Sequence, residues 1–159
     1  MWAVAELLRR QIADGATRVA VTSTSMGPLA RRGDAFVFEP PGVRGARFGD
    51  VVLAVAGGRA VTHRVVGRRG GFYIVKGDGS SRRDPPVAPA EVVARARTLV
   101  KENGRTVPLR TLRSRLVGAA LASVSRVEDA VTDAFYPPPL LVRKMFYLSS
   151  RVLCLLLGA

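Results

Sequence analysis

The chain has 159 residues, 48% of them hydrophobic, and its 25 Lys+Arg against 12 Asp+Glu give a net charge of +13. That length builds one domain with a true core, and that apolar share excludes a disordered chain. The single cysteine, Cys154, excludes an internal disulfide and any cysteine-based metal cluster.

The excess of positive charge favours an anionic partner: a lipid surface, a nucleic acid or an acidic peptide. The basic residues are mostly arginines spread along the chain, as in Arg9, Arg10, Arg31, Arg32, Arg68, Arg69, Arg82 and Arg83. No RNP-like aromatic motif or zinc-finger spacing accompanies them, so no nucleic acid is expected as partner.

In residues 2–13, Ala3, Leu7, Leu8 and Ile12 recur at helical spacing, and Asp14-Gly15 supplies a stop. The expectation is a short amphipathic helix. Glu6, Arg9, Arg10 and Gln11 interrupt its apolar character, so it reads as neither signal peptide nor membrane anchor. Val19-Ala20-Val21 then runs into Ser23-Thr24-Ser25-Met26-Gly27-Pro28. This hexapeptide is expected to begin as strand and finish as turn. In extended chain, side chains two apart share a face, which brings Ser23 and Ser25 together and turns Thr24 away. Gly27-Pro28 breaks the strand and leaves Ser25 near an exposed end. A Ser/Thr cluster beside Gly-Pro is by itself usually a polar turn.

Beyond it the pattern has period two. Strands are expected at 33–39, stopped by Pro40-Pro41, and at 49–55, turned by Gly57-Gly58 into 60–66. Arg69-Gly70-Gly71 turns again into 72–76. A polar loop at 77–86 leads to a β-branched run at 91–100, and Asn103-Gly104 turns into 106–109. Short strands joined by glycine turns predict a mainly β fold, a compact antiparallel domain over 1–109. Residues 110–159 are expected to form a helical C-terminal tail. In 112–135, Leu116, Ala120, Val124, Val127 and Val131 suggest one apolar face, with Glu128, Asp129 and Asp133 elsewhere. Pro137-Pro138-Pro139 ends that helix. Residues 140–159 are long and apolar enough to span a bilayer, but Arg143, Lys144 and Arg151 interrupt them. A charge at mid-bilayer costs about 3 kcal/mol on insertion scales. A helix lying in the membrane interface, or capping the domain's own core, is expected instead, which leaves a peripheral membrane or a cytoplasmic location open.

His63 is the only histidine, set between Val61 and Val65 on one face of its strand, with Thr62 and Arg64 on the other. Such a residue is more often simply packed. It is nevertheless the one side chain whose ordinary pKa, ~6.5, suits proton transfer near neutrality. A serine hydroxyl needs a neighbouring base to become nucleophilic, so any Ser-His chemistry here uses His63. Asp78 and Asp84, in the Gly/Ser/Pro loop at 77–86, are ordinary turn formers, and either could instead orient the imidazole. Lys76 is a weaker alternative as base.

Taken together, Ser-x-Ser-Met-x-Pro (23–28), Gly-Asp-Val-Val (49–52), His-Arg-Val (63–65) and Lys-Gly-Asp followed by a second aspartate (76–84) resemble the signal peptidase I superfamily. The His-Arg-Val form is similar to its endoplasmic-reticulum and archaeal branch, in which histidine replaces the lysine base of bacterial enzymes. The resemblance covers 23–97 and implies a serine endopeptidase on a signal-peptidase/LexA-like β fold, without metal or cofactor. It implies Ser25 as nucleophile, His63 as general base and Asp84 as the residue orienting it. Asp78 matches a second aspartate of that loop, Met26 the methionine after the nucleophile, and Ser23 a hydroxyl that joins the Ser25 N–H in the oxyanion hole. The implied partner is a precursor protein or peptide that loses a signal or leader segment. Family enzymes usually carry an N-terminal membrane anchor, and none is read here. A peptide- or membrane-binding module without chemistry is the alternative. A self-cleaving repressor of the LexA type fits less well, because nothing before Ser23 resembles its DNA-binding helices and no lysine stands at the base position.

Overall fold

Glycine turns and β-branched runs close into a single antiparallel sheet in a computed structural model of the protein. It describes residues 2–158 apart from Asp14, Ala16, Arg44, Gly57 and 136–138, and only the backbone of 2–5 and Ala56. Asp14 of the expected helix stop, the Ala3 side chain, Gly57 of the expected hairpin turn, and Pro137 and Pro138 of the expected helix break therefore lie outside the described residues. Helix α1 (Trp2–Ala13) precedes strands β1 (Thr17–Ala20), β2 (Ala35–Glu39), β3 (Val51–Ala56), β4 (Arg59–Arg69), β5 (Phe72–Lys76), β6 (Val92–Val100) and β7 (Thr106–Pro108). Helices α2 (Leu112–Ala134) and α3 (Leu140–Leu157) complete the chain. The fold is mainly β, as the period-two segments predict.

The strand order is β1-β2-β6-β3-β4-β5, with β7 also on β6. Strand β6 joins the two hairpin systems: β2 runs along one edge, while β3 and β7 share the other. Side chains alternate across the sheet, and apolar clusters cover both faces. The larger cluster takes Phe36, Phe38, Leu53, Val55 and Leu99 together with Met26 and Leu29. It continues into the helices through Val117, Leu121 and Cys154. Val52, Ala54, Val65, Tyr73, Val75 and Val87 form the smaller one. Burial on both faces is why β3 reads as an unbroken apolar run rather than an alternating one. Burial pushes the Cys154 thiol up to about 12, with Asp78 adding to the shift, so it stays protonated at neutral pH and packs as a small apolar group.

Two expectations are corrected. The strand before Ser23 ends at Ala20, and 23–29 is bend and turn. Its partner strand begins at Ala35, which pairs Ala20, and after one more bond, Val21 N–H to the Asp34 carbonyl at 2.8 Å, the ladder has nothing left to pair with. In α2 the expected apolar face is not the buried one: Leu116 and Val127 are more than half exposed, and Ala120, Val124 and Val131 are only half-buried. The buried stripe is Ser114, Val117, Gly118, Leu121, Ala122, Ser125, Asp129 and Thr132. Small residues win there because the helix lies close on the sheet. A Cβ on Gly118 would stand 2.8 Å from the Gly49 carbonyl oxygen, and one on Gly49 2.6 Å from the Ala119 nitrogen. Thr111 caps the helix by accepting the Ser114 N–H at 3.2 Å.

Helix α3 packs along α2, burying Ser150 and Cys154. Its opposite side leaves Leu141, Met145, Leu148, Val152, Leu155 and Leu156 exposed. No helix among the described residues is long and apolar enough to cross a membrane.

Candidate active site

Three segments meet at one end of the sheet. The turn after β1 carries Ser23 and Ser25, mid-β4 carries His63, and the loop after β5 carries Asp78 and Asp84. The turn is anchored from beneath by Met26, 2% exposed in the larger cluster, while Ser25 itself stays partly accessible. His63 lies opposite Val52 in the β3–β4 ladder, which fixes its backbone, one residue before the β4–β5 ladder begins at Arg64. The 77–86 loop is held at its far end by the Val75 carbonyl, which accepts the Asp84 N–H at 2.9 Å.

The side chains then form a chain of hydrogen bonds. His63 Nε2 is 3.1 Å from Ser25 Oγ, and His63 Nδ1 is 2.5 Å from Asp84 Oδ2. With Asp84 ionised, Nδ1 carries the proton and donates to the carboxylate, leaving Nε2 to accept from the Ser25 hydroxyl. Ser23 Oγ is 2.9 Å from Ser25 Oγ. The Ser25 N–H reaches Ser23 Oγ only at 3.4 Å, too long to hold that donor firmly. The two serines therefore share a face as expected, although a bend and not a strand brings them together.

Asp78 goes elsewhere. It takes both Arg64 Nε, at 2.7 Å, and Nη2, at 2.6 Å, in a bidentate pair buried under α2. Arg64 Nη1 donates to the Gly49 carbonyl at 2.7 Å. Burial alone would lower the guanidinium's pKa, but Asp78 outweighs it and holds Arg64 above its ordinary range. Asp84, not Asp78, touches the imidazole. Lys76 is fully buried and faces away into α2, donating to Glu128 Oε2 at 2.5 Å and to the Ser125 carbonyl at 3.3 Å. Its neighbour Asp129, 3.7 Å away, is raised above the usual carboxylate range by burial, against the pull of Lys76 and Arg83. At the other end of the loop Arg83 pairs with Asp133 at 3.0 Å. Helix α2 thus grips the Asp84 loop at both ends.

Three contributors carry no role in the sequence reading, and a fourth, Lys76, carries a different one there, as an alternative base. Gly77 and Gly79 look like turn formers, yet both serve close approach. A Cβ on Gly77 would lie 2.4 Å from the Ser25 carbonyl oxygen and 3.0 Å from His63 Nε2. On Gly79 it would lie 2.8 Å from the Gly27 carbonyl oxygen, while the Gly79 N–H donates to the Ser25 carbonyl at 2.8 Å. Arg64 and Lys76, charged and adjacent to motif residues, act through buried ion pairs. The available signal was the Glu128-Asp129 pair in α2, a surplus of acid opposite a strand ending in lysine.

Among the described residues no cluster of His, Cys, Asp and Glu side chains is arranged to hold a metal ion. No protein-family model matches the chain, and no curated protein matches it at a significant level.

Proposed function

We propose that the protein is a serine endopeptidase of the signal peptidase I type, removing a leader segment from a precursor protein or peptide. The observation that carries this reading is the Ser25–His63–Asp84 hydrogen-bonded series, assembled from residues 38 and 21 positions apart in the chain. Ser25 Oγ attacks the scissile carbonyl carbon while His63 Nε2 takes the hydroxyl proton. His63 then gives that proton to the departing amine, which leaves an acyl ester on Ser25. Water, deprotonated by the same imidazole, hydrolyses the ester and restores the serine. Asp84 keeps the imidazole in the tautomer this cycle needs and stabilises the imidazolium. In this reading the Ser25 N–H and the Ser23 hydroxyl, whose oxygen is 2.9 Å from Ser25 Oγ, donate to the oxyanion, and one such donor is worth ~3 kcal/mol of barrier.

The test pairs a labelled fluorophosphonate with cleavage of the precursor that accumulates in cells lacking the protein. Wild type is expected to label at Ser25 and cleave. Ser25→Ala and His63→Ala lose both, and Asp84→Asn loses roughly 10³–10⁴-fold in kcat. Full activity in either alanine variant would sink the reading. Absence of labelling in the wild type would favour a binding module on the same scaffold.

The exposed stripe of α3 supports a location as well. A helix with an apolar outer face and no acidic residue along Leu140–Leu157 suits an anionic lipid surface. The wild type is expected to sediment with vesicles containing phosphatidylglycerol and less with pure phosphatidylcholine. Val152→Glu with Leu155→Glu is expected to abolish this. Equal sedimentation of that variant would remove α3 as the contact.

A further inference from the structure

A cavity of about 510 Å³ lies between the N-terminal half of α3 and the loop that packs against the nucleophile. One wall is Asp78, Gly79 and Ser81. Gly79 is the residue whose N–H holds the Ser25 carbonyl, so whatever fills the cavity rests on the support of the proposed nucleophile. The facing wall is α3, where Leu140, Tyr147 and Leu148 are 74%, 50% and 60% exposed. A volume of this order takes several side chains, and an occupant would remove that apolar surface from water.

The charge on the walls that has no ion-pair partner among the described residues is of one sign. Glu128 also lines the cavity but is held by Lys76 Nζ, and Asp78 is held by Arg64. Arg143 and Lys144 line it too, and among the described residues neither has a carboxylate partner. The cavity therefore offers apolar contact together with two uncommitted cations.

We propose that this cavity is a recognition site for an apolar, acid-bearing segment of the polypeptide substrate, with Leu140, Tyr147 and Leu148 taking its aliphatic side chains and Arg143 and Lys144 its carboxylate. The inference rests on the peptidase reading and names the substrate feature that reading leaves open. A carboxylate with an apolar neighbour is preferred over a lysine-bearing analogue because the wrong charge leaves two cations unpaired and adds repulsion.

Binding is tested apart from catalysis. The Ser25→Ala protein is titrated with a fluorescent Leu-Glu-Leu-Leu peptide, its Leu-Lys-Leu-Leu counterpart and dodecanoate as competitor. The glutamate peptide is expected to bind at least tenfold tighter than the lysine peptide. Arg143→Glu with Lys144→Glu is expected to invert that order, and Arg113→Glu, an exposed control on α2, to leave it unchanged. In the active protein, cut sites in a proteome-derived peptide library are expected to show Asp or Glu beside Leu, Ile or Phe at one fixed distance, with the same inversion. Equal binding of the two peptides overturns the proposal, as does an order unaffected by charge reversal or tight dodecanoate binding without peptide binding. Preferential peptide binding with no fluorophosphonate labelling would instead retain the cavity and overturn the peptidase reading.

Discussion

Gly77 sets how closely the Asp84 loop approaches the Ser25 turn. Its missing side chain leaves room for the Ser25 carbonyl and for His63 Nε2, both within 3.0 Å of where a Cβ would sit. Gly77→Ala is expected to cost about 1–3 kcal/mol of stability through overpacking. Loss of the proposed hydrolysis should be larger, at least ~100-fold, because a displacement of about 1 Å in the reacting groups has that effect. Urea denaturation and the labelling rate of Ser25 measure the two separately, and unchanged labelling would show that the loop absorbs the methyl group elsewhere. At this scale the polar residues were legible as motifs: Ser23, Ser25, His63 and Asp84 converge. The choice between Asp78 and Asp84 rests in the sequence on the resemblance alone, since both stand in the same polar loop, and it is the fold that has Arg64 claim Asp78. The part played by Gly77 and Gly79 was not legible, because close approach is a property of two segments and a glycine reads the same in any turn.

The spacing of α2 predicts an apolar face of Leu116, Ala120, Val124, Val127 and Val131, and the helix docks instead through Val117, Gly118, Leu121, Ala122, Ser125 and a pair of acids. Hydrophobic periodicity misleads here because contact with the sheet at Gly49 demands small residues and Lys76 demands carboxylates. Breaking a buried ion pair leaves its partner uncompensated, typically at ~3–5 kcal/mol. Lys76→Met is therefore expected to lower stability by about 3 kcal/mol in urea titration. Lys76→Met combined with Glu128→Leu should recover at least half of that loss, since both charges leave together. A double variant as unstable as the single one would mean that packing, not charge, sets the cost. The strands were more legible than the helix faces. Each β segment combines β-branched residues with a glycine or proline boundary, whereas the outcome for 23–28 depended on a pairing partner that lies beyond the local sequence.

Over the whole molecule, Asp34 ties the start of β2 to the end of β6. Its carboxylate accepts the Arg31 N–H at 2.8 Å, the Glu102 N–H at 3.0 Å and Lys101 Nζ at 2.9 Å. Burial alone would raise this carboxyl, but Lys101 and the two backbone donors outweigh it and hold the group below its usual range. A carboxylate depressed in this way stabilises the fold above its unfolded pKa, near ~4, and the contribution is lost as pH falls through the lowered folded value. Asp34→Asn is expected to cost about 2 kcal/mol at pH 7, with the gap to wild type narrowing as pH drops below ~4. A gap that stays constant with pH would assign the loss to shape instead of charge. Composition announced one domain with a core. That β6 would bridge β2 and β3 was not legible, because register between distant strands is settled by packing on both faces of the sheet.

The grip of α2 on the Asp84 loop carries a consequence for biosynthesis. The chain is made from its N-terminus, so Ser25, His63 and Asp84 all emerge from the ribosome before their outer brace does. Glu128 and Asp133, which fasten Lys76 and Arg83, are translated 44 and 49 residues after Asp84. A chain grown only as far as Asp84 thus holds Ser25, His63 and Asp84 without the frame that aligns them, and the proposed hydrolysis has to wait until α2 is made and packed against the loop.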